Sequence, residues 1–314
     1  VNIVKAAGWG CVGPYDIENI ATDSYCVYTN HPVGGPYRGF GMCEIHFGIE
    51  QNIDMIAHEM GLDPLEMRKI NGIREGGKSA TGQTIDVAGY QECLERASQL
   101  MEMDKPSAPS GSPTKLRGKG IAGGWKAPSM PTDVASSVII RMNEDGTFIL
   151  LASCHDIGQG SDTIMAQIAA ETLTVSVDKI SVRTGDTDHT PYEWQTVASR
   201  STYCAGNATK LAAEDLRNKI LELAQIKMGT WKNDLYLENG FVCRKFYPDQ
   251  KVPIATFALG LTLPDQSGIG GPMIGVGSFV VPNNIAADKK TGLSPKPVAF
   301  WSMGVNGAEV EVDT

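Results

Sequence analysis

Apolar residues recur at Ile45, Ile49, Ile53, Ile56 and Met60, every three or four positions, and that spacing predicts a helix with one apolar face from Glu44 onward. Gly61 stands where a helix-ending glycine belongs. Asp63, Pro64 and Glu66 form the next start signal: Asp63 caps, Pro64 suits the first helical position, and Glu66 reaches back. Leu94, Ala97, Leu100 and Met101 mark a third helix. Further along the period drops to two. Val134, Ser136, Val138 and Ile140 begin a strand, NEDGT (143–147) supplies a turn, and FILLAS (148–153) returns, which predicts a hairpin. A glycine-rich loop leads into a helix with Ile164, Ile168 and Leu173 on one side. Residues 180–184 read as a strand and 185–199 as a loop. Leu211, Leu216, Ile220 and Leu223 face inward from a long helix over about 207–226. The last residues, GAEVEVDT, read as a strand in progress.

Between these elements lie segments of a different character. Residues 15–29 carry β-leaning side chains and predict one strand with its approach. Residues 30–41, NHPVGGPYRGFG, are dense in Gly and Pro and so irregular. The Pro/Ser/Gly-rich stretch 105–118 reads as an exposed linker dividing residues 1–104 from 119–314. Residues 264–297 read as a long excursion, more than plain connection. Helices and strands do not strictly alternate, so the expected class is α+β with mixed sheets rather than a doubly wound parallel sheet.

Composition narrows the function classes. The 314 residues are 42% hydrophobic and 20% charged, enough for a large core and two domains. A net charge of −9 argues against nucleic acid as the main partner, because phosphate binding favours a basic face. No apolar run approaches the roughly 20 residues that span a bilayer. Seven cysteines, odd in number and without a C-x-x-C pair, suggest reduced thiols in a cytoplasmic protein rather than a zinc or iron–sulfur site. The chain opens on Val1 and closes inside a strand, so it is expected to be part of a larger folded unit or one subunit of a split one.

Four stretches carry chemistry. In DIGQGSD, Gly158 and Gly160 remove side chains where a ligand meets backbone, Ser161 or Asp162 caps the following helix, and the Gln159 amide donates to an oxygen. The stretch is neither G-x-G-x-x-G nor a P-loop, and an ordinary glycine turn before a capped helix is the competing reading. TVASRST (196–202) sets Thr196, Ser199, Ser201 and Thr202 before a helix, as ligand hydroxyls or as caps. PYRGFG (36–41) places Arg38 beside glycines and aromatics, to pair with an anion or to form a structural ion pair, while Phe40 offers a ring face or packs on the core. GDTDH (185–189) has metal-binding atoms but reads as turn chemistry.

GPYRGFG before a helix, DIGQGSDTIMAQIAAETL, GDTDHTPYEWQTVASRSTYCAGNA and GVNGAEVEVD occur in the order and approximate spacing of the molybdenum-binding subunit of the xanthine oxidase family. The resemblance is most specific over 36–61, 118–207 and 304–313. It implies a molybdopterin-binding fold and a molybdenum ion held by a pyranopterin dithiolene, in the cytosine dinucleotide form in bacteria. Carried over residue by residue, Gly158, Gln159 and Gly160 match the turn that contacts the pterin and its phosphates. Ala198, Ser199 and Ser201 match the loop that hydrogen-bonds it, and Arg38 and Gly39 match the loop near the metal end. Phe40 matches the aromatic that stacks on substrate. Gly123, Gly124 and Trp125 fall where some members place a second aromatic. Trp125 is the candidate there, while Gly123 at the family position implies a wider pocket.

The implied reaction is oxidation of an aldehyde or aromatic N-heterocycle with water as oxygen source. Electrons then pass to iron–sulfur clusters and FAD on partner subunits. The family's catalytic base, a glutamate in a short Gly-Glu motif, is expected beyond Thr314, and a metal-side glycine-rich loop before Val1. Two readings compete: a scaffold subunit that keeps the fold without the metal, and an enzyme holding a mononucleotide on DIGQGSD.

Overall fold

The computed structural model describes residues 2–32, 34, 35, 37–109, 111–128 and 135–314. In chain order come α1 (Asn2–Trp9), α2 (Met42–Glu59), α3 (Pro64–Asn71), α4 (Tyr90–Leu100), β1 (Lys115–Lys126), β2 (Ala135–Met142) and β3 (Phe148–Leu151). Then follow α5 (Ser161–Leu173), β4 (Ile180–Arg183), α6 (Ser201–Met228), β5 (Leu235–Glu238), β6 (Phe241–Arg244) and β7 (Tyr247–Pro253). The chain finishes with β8 (Leu261–Thr262), β9 (Gly268–Ile269), β10 (Ile274–Val280) and β11 (Ser302–Asp313). The class is α+β, as expected. Two compact units form: Val1–Pro131 with Pro282–Thr314, and Thr132–Val281. The division falls elsewhere than the stretch 105–118, whose last residues, from Lys115, are already strand β1.

In the first unit β1 and β11 form a long antiparallel ribbon, in register from Lys115↔Asp313 to Lys126↔Ser302. Its core gathers Trp9, Tyr15, Met42, Leu94, Ile121 and Trp301 with their neighbours. Helix α3 starts as its sequence requires: Asp63 accepts from the amides of Leu65 and Glu66, and Pro64 occupies the first turn. Glu66 does not reach back; it pairs with Lys69. Residues 15–29 form no strand, only a single bridge between Tyr15 and Gly72.

Helix α2 forms where its periodicity predicts, but it buries a different face. Met42, His46, Glu50 and Ala57 are buried, Ile45, Ile49 and Ile53 are half-buried, and Ile56 and Met60 are exposed. The reason is a polar cluster beneath it. Glu50 accepts from the Tyr15 hydroxyl (2.6 Å), Arg68 Nε (2.8 Å) and the Gly123 amide (2.7 Å). Arg68, fully buried, also donates to Asp54 at 2.6 Å. A buried charge is tolerable only when paired and hydrogen-bonded in this way.

The second unit is a four-stranded sheet of order β10-β2-β3-β4 with α5 and α6 packed on it. The expected hairpin joins β2 to β3 through 143–147, and β4 adds parallel to β3. The part of that strand read at Val134 lies outside the described residues. Helix α6 begins at Ser201, earlier than its apolar spacing predicts, because Ala205, Ala208 and Ala212 bury a smaller face. Part of the stretch 264–297 is also sheet: β10 pairs with β2 from Ile274↔Arg141 to Val280↔Ala135. Strands β5–β7 form a separate antiparallel sheet, and β8 and β9 a short ribbon. Among the described residues no helix is long and apolar enough to cross a membrane.

Candidate functional site

In the second unit the chain leaves β3 and turns sharply at Gly158 (φ 101°) and Gly160 (φ 78°) into α5. This left-handed backbone is natural only to glycine. A Cβ at either position would point into open space, so both glycines present bare faces. The amides behave differently from expectation. Gly158 and Gly160 donate to Asp156 Oδ1 at 2.8 and 3.3 Å, and the Asp162 amide lies 3.5 Å from Oδ2. The cap of α5 is therefore Asp156, not Ser161 or Asp162, since the N-cap position itself is the side-chain-free Gly160. Gln159 also folds back: its Nε2 donates to the His155 carbonyl (2.9 Å) and Ser161 Oγ (3.0 Å), and its Oε1 accepts from the Ile157 amide. The Gln159 side chain thus rivets the turn and leaves the glycine faces outermost.

The Gly158 amide, joined by those of Gly160, Asp162 and Ser161, holds the Asp156 carboxyl below the usual carboxylate range against the desolvation that opposes it. A depressed folded-state pKa contributes stability that is complete above the unfolded value and is lost as pH falls through the folded one. The turn is thus expected to keep its form through the ordinary titration of carboxylates near pH 4 and to loosen only below it. Amide exchange at Gly158 and Gly160 followed against pH checks this; loosening already at pH 5–6 contradicts it.

Residues 196–202 come directly against this turn. The His155 amide donates to Thr196 Oγ1 at 2.9 Å, and the buried Cys154 thiol lies within hydrogen-bond reach of Ser201, Thr196 and Ser161. Burial pushes that thiol upward, which keeps it neutral at ordinary pH. Ala198 (φ 59°) and Ser199 (φ 56°) are both left-handed, a conformation that costs a residue with a Cβ on the order of 1–3 kcal/mol and concentrates at ligand sites. Ser199 is exposed, and its hydroxyl has no partner among the described residues. Beneath the segment, Arg200 pairs with Glu193, both side chains nearly fully buried. Arg200 also donates to the Gln195 carbonyl (3.1 Å) and Ser136 Oγ (2.8 Å). Neither this pair nor Asp156 was visible as a site in the sequence, because each is defined by contacts across the loop. The nearest signal was a lone Arg amid hydroxyls.

In the first unit Gly39 (φ 96°), Phe40 (φ 53°) and Gly41 (φ 86°) form a second left-handed turn, at the start of α2. A Cβ at Gly39 would overlap the Cys43 sulfur, and one at Gly41 the Ile3 carbonyl. The turn holds Phe40 half-buried in a conformation unusual for a bulky side chain. Arg38 is exposed, its guanidinium 5.4 Å from the Tyr37 ring centroid. Pro36 of this motif lies outside the described residues. Trp125 does not fit a pocket role. It is 3% exposed and stacks on Trp301 with centroids 4.1 Å apart, so the strand alternation of β1 turns its ring into the core. Gly123 is required by the same packing, since a Cβ there would strike the Tyr90 ring. GDTDH is a turn: Asp186 accepts from the Asp188 amide through Oδ1 and from the His189 and Thr190 amides through its carbonyl.

The second unit thus offers bare glycine faces, held by exposed contacts to Asp156 and Gln159, beside a hydroxyl-bearing turn held from beneath by the buried Arg200–Glu193 pair. That set suits an extended, polar, flat-faced ligand gripped by backbone and neutral hydroxyls. The glycine faces leave open the space that a Cβ would occupy, while Asp156 already uses two of the turn's amides. These features are those of a protein that holds an organic cofactor.

The particular class follows from comparison: the chain belongs to the molybdopterin cofactor-binding domain family, matched over residues 93–314 and again over 1–72. It is 34% identical over 236 residues to the xanthine dehydrogenase molybdenum-binding subunit of Escherichia coli O157:H7, covering 73% of this chain and 31% of that protein. It is 32% identical over 207 residues to the aldehyde oxidoreductase of Megalodesulfovibrio gigas, covering 64% of this chain and 23% of that one. The crystal structure of quinoline 2-oxidoreductase from Pseudomonas putida 86 superposes with a TM-score of 0.79 at 21% identity, over 100% of this chain and 40% of that one, a likeness of fold. The chain therefore spans less than a third of the length of these two curated relatives.

Proposed function

We propose that the chain is the cofactor- and substrate-binding part of a molybdenum hydroxylase acting on an aldehyde or aromatic N-heterocycle, with water as the oxygen source. One observation carries the reading: the 158–160 turn and the 196–201 segment meet through His155 and Thr196 in a chain of the molybdopterin-binding family. Gly158 and Gly160 would lie along the flat face of the pterin, and the Ser199 and Ser201 hydroxyls beside Ala198 would hydrogen-bond it. Gln159 would act by keeping the turn rigid. Arg38, Gly39 and Phe40 would form the substrate side of the first unit, with Phe40 stacking on a planar substrate. When bound, the group supplies a two-electron couple and a Lewis acid.

The cofactor form would be the cytosine dinucleotide, and electrons would leave for iron–sulfur and FAD centres on partner subunits in a cytoplasmic complex. The reading assigns no general base within residues 1–314.

The test is made on the intact protein or complex, produced where the cofactor is synthesised. Near-stoichiometric molybdenum and pterin are expected; a well-folded complex without either would favour the metal-free scaffold. Gln159→Ala is expected to lower cofactor occupancy several-fold, and full loading in that variant would remove the turn from the site. Phe40→Ala is expected to raise the substrate KM about tenfold with molybdenum retained, within the roughly 1–3 kcal/mol that a stacked ring contributes. An unchanged KM removes Phe40 from the pocket.

A further inference from the structure

The buried Arg200–Glu193 pair is unlike the surface ion pairs of this protein. Its two side chains are 1% and 4% exposed, whereas Lys69–Glu66 and Arg96–Glu92 stand largely in solvent. It is also placed differently from the buried Arg68–Glu50 pair, which joins two helices. Arg200 and Glu193 instead bracket the irregular segment 194–199. The guanidinium holds Glu193 and the Gln195 carbonyl at the start of that segment. Its own backbone ends the segment, the Arg200 amide donating to the Val197 carbonyl. Its second arm reaches Ser136 on β2 at 2.8 Å, and Ser136 forms a backbone bridge with Glu193. Both ends of the strap are therefore tied to one strand of the sheet by a single planar cation. The strap's middle, Ala198–Ser199, sits in a backbone conformation that neither residue prefers, with the Ser199 hydroxyl outward.

Such a conformation persists only if its surroundings over-determine it. Ala198 and Ser199 contribute little of their own. Thr196 is held by the His155 amide, which fixes one side of the strap to the glycine turn. The other side depends on Arg200. A lysine there could keep charge near Glu193, but its three donors share one nitrogen, whereas Arg200 reaches the carboxylate and carbonyl from Nη1 and the Ser136 hydroxyl from Nη2, a span that a single ammonium does not match.

We propose that Arg200, with Glu193 and Ser136, is a positioning residue: it holds the 196–199 strap in the left-handed form that presents the Ser199 hydroxyl, and cofactor retention depends on it although it touches no ligand. The inference rests on the cofactor reading above.

The experiment uses the intact protein or complex from cofactor-competent cells. Wild type, Arg200→Lys, Ser136→Ala and the volume-matched Glu193→Leu/Arg200→Met double variant are compared on their soluble, folded fractions. Molybdenum per chain, released pterin fluorescence and melting temperature of the cofactor-free form are read together. Arg200→Lys is expected to lose about five- to tenfold in cofactor occupancy with a small change in cofactor-free melting, and Ser136→Ala to lose two- to threefold. The double variant, with no buried charge left unpaired, is expected to melt near or above wild type yet remain depleted of cofactor. Full occupancy in Arg200→Lys, or recovery of both melting and occupancy in the double variant, would show a purely structural pair and overturn the proposal. Occupancy falling only in proportion to melting across the series would overturn it too. If the wild type holds neither molybdenum nor pterin, the cofactor reading itself fails, and the inference with it; that outcome is distinct from the others.

Discussion

Replacing Gly277 by alanine is expected to destabilise the second unit by about 3 kcal/mol or more, at the upper end for an overpacked core. Strand β10 lies directly under helix α6. A Cβ at Gly277 would overlap the Ala208 carbonyl, and one at Gly275 the Ala212 carbonyl with Leu216 Cβ 2.7 Å away. These are backbone atoms of a helix of 28 residues, so they cannot rotate aside as a side chain would. The same strand is bonded to β2, with Gly277 opposite Val138 and Gly275 opposite Ile140, both fully buried. Helix or strand must therefore move, and either movement opens the core around Val138, Ile140 and Leu216. Denaturant unfolding of Gly277→Ala, with amide exchange along β10, measures the effect. A loss below about 1 kcal/mol would mean that α6 does not sit this close to the strand. Gly271, whose Cβ would meet nothing, is the control, and alanine there is expected to change stability by less than about 0.5 kcal/mol.

Arg68→Met is expected to cost the first unit roughly 3–5 kcal/mol, the usual result of removing one partner of a buried ion pair. Burial alone would lower the Arg68 pKa, but Glu50 and Asp54 together raise it, so the guanidinium stays charged. Removing it leaves the Glu50 carboxylate 8% exposed with only the Tyr15 hydroxyl and the Gly123 amide as partners. A second change, Glu50→Leu, is expected to recover only part of the loss. It discharges the unpaired anion but orphans the Gly123 amide and leaves the Tyr15 hydroxyl only the Tyr90 hydroxyl as partner, at about 1–3 kcal/mol for a buried donor left unmade. Since a domain is stable by only about 5–15 kcal/mol, the single variant should be visibly weakened at 37 °C. Complete recovery in the double variant would mean that Glu50 serves Arg68 alone.

Both predictions rest on residues that the sequence pattern misread. The stretch 264–297 looks like an excursion because glycine lowers strand propensity, yet Gly275 and Gly277 are what admit α6 to the sheet. In α2 the isoleucine stripe announces the helix, while the buried face is set by Glu50.

Local order was legible from the chain itself. The Asp63–Pro64 start of α3, the hairpin over 135–151, the position of α5 after the glycine turn and the α+β class all follow from contacts within a few residues. The family resemblance also set the 158–160 turn and 196–202 against one ligand, and the two segments do meet, while the hold of Asp156 on the glycine amides was not legible. Tertiary structure alone decided that Trp125 turns inward onto Trp301, that Glu50 gathers Tyr15, Arg68 and Gly123, and that Arg200 reaches back to Glu193 and Ser136. Period and propensity report which backbone a segment prefers. Which polar group is buried, and which glycine has to be one, depends on atoms brought near from distant parts of the chain, 73 positions away for Glu50 and Gly123, and only the folded chain supplies those.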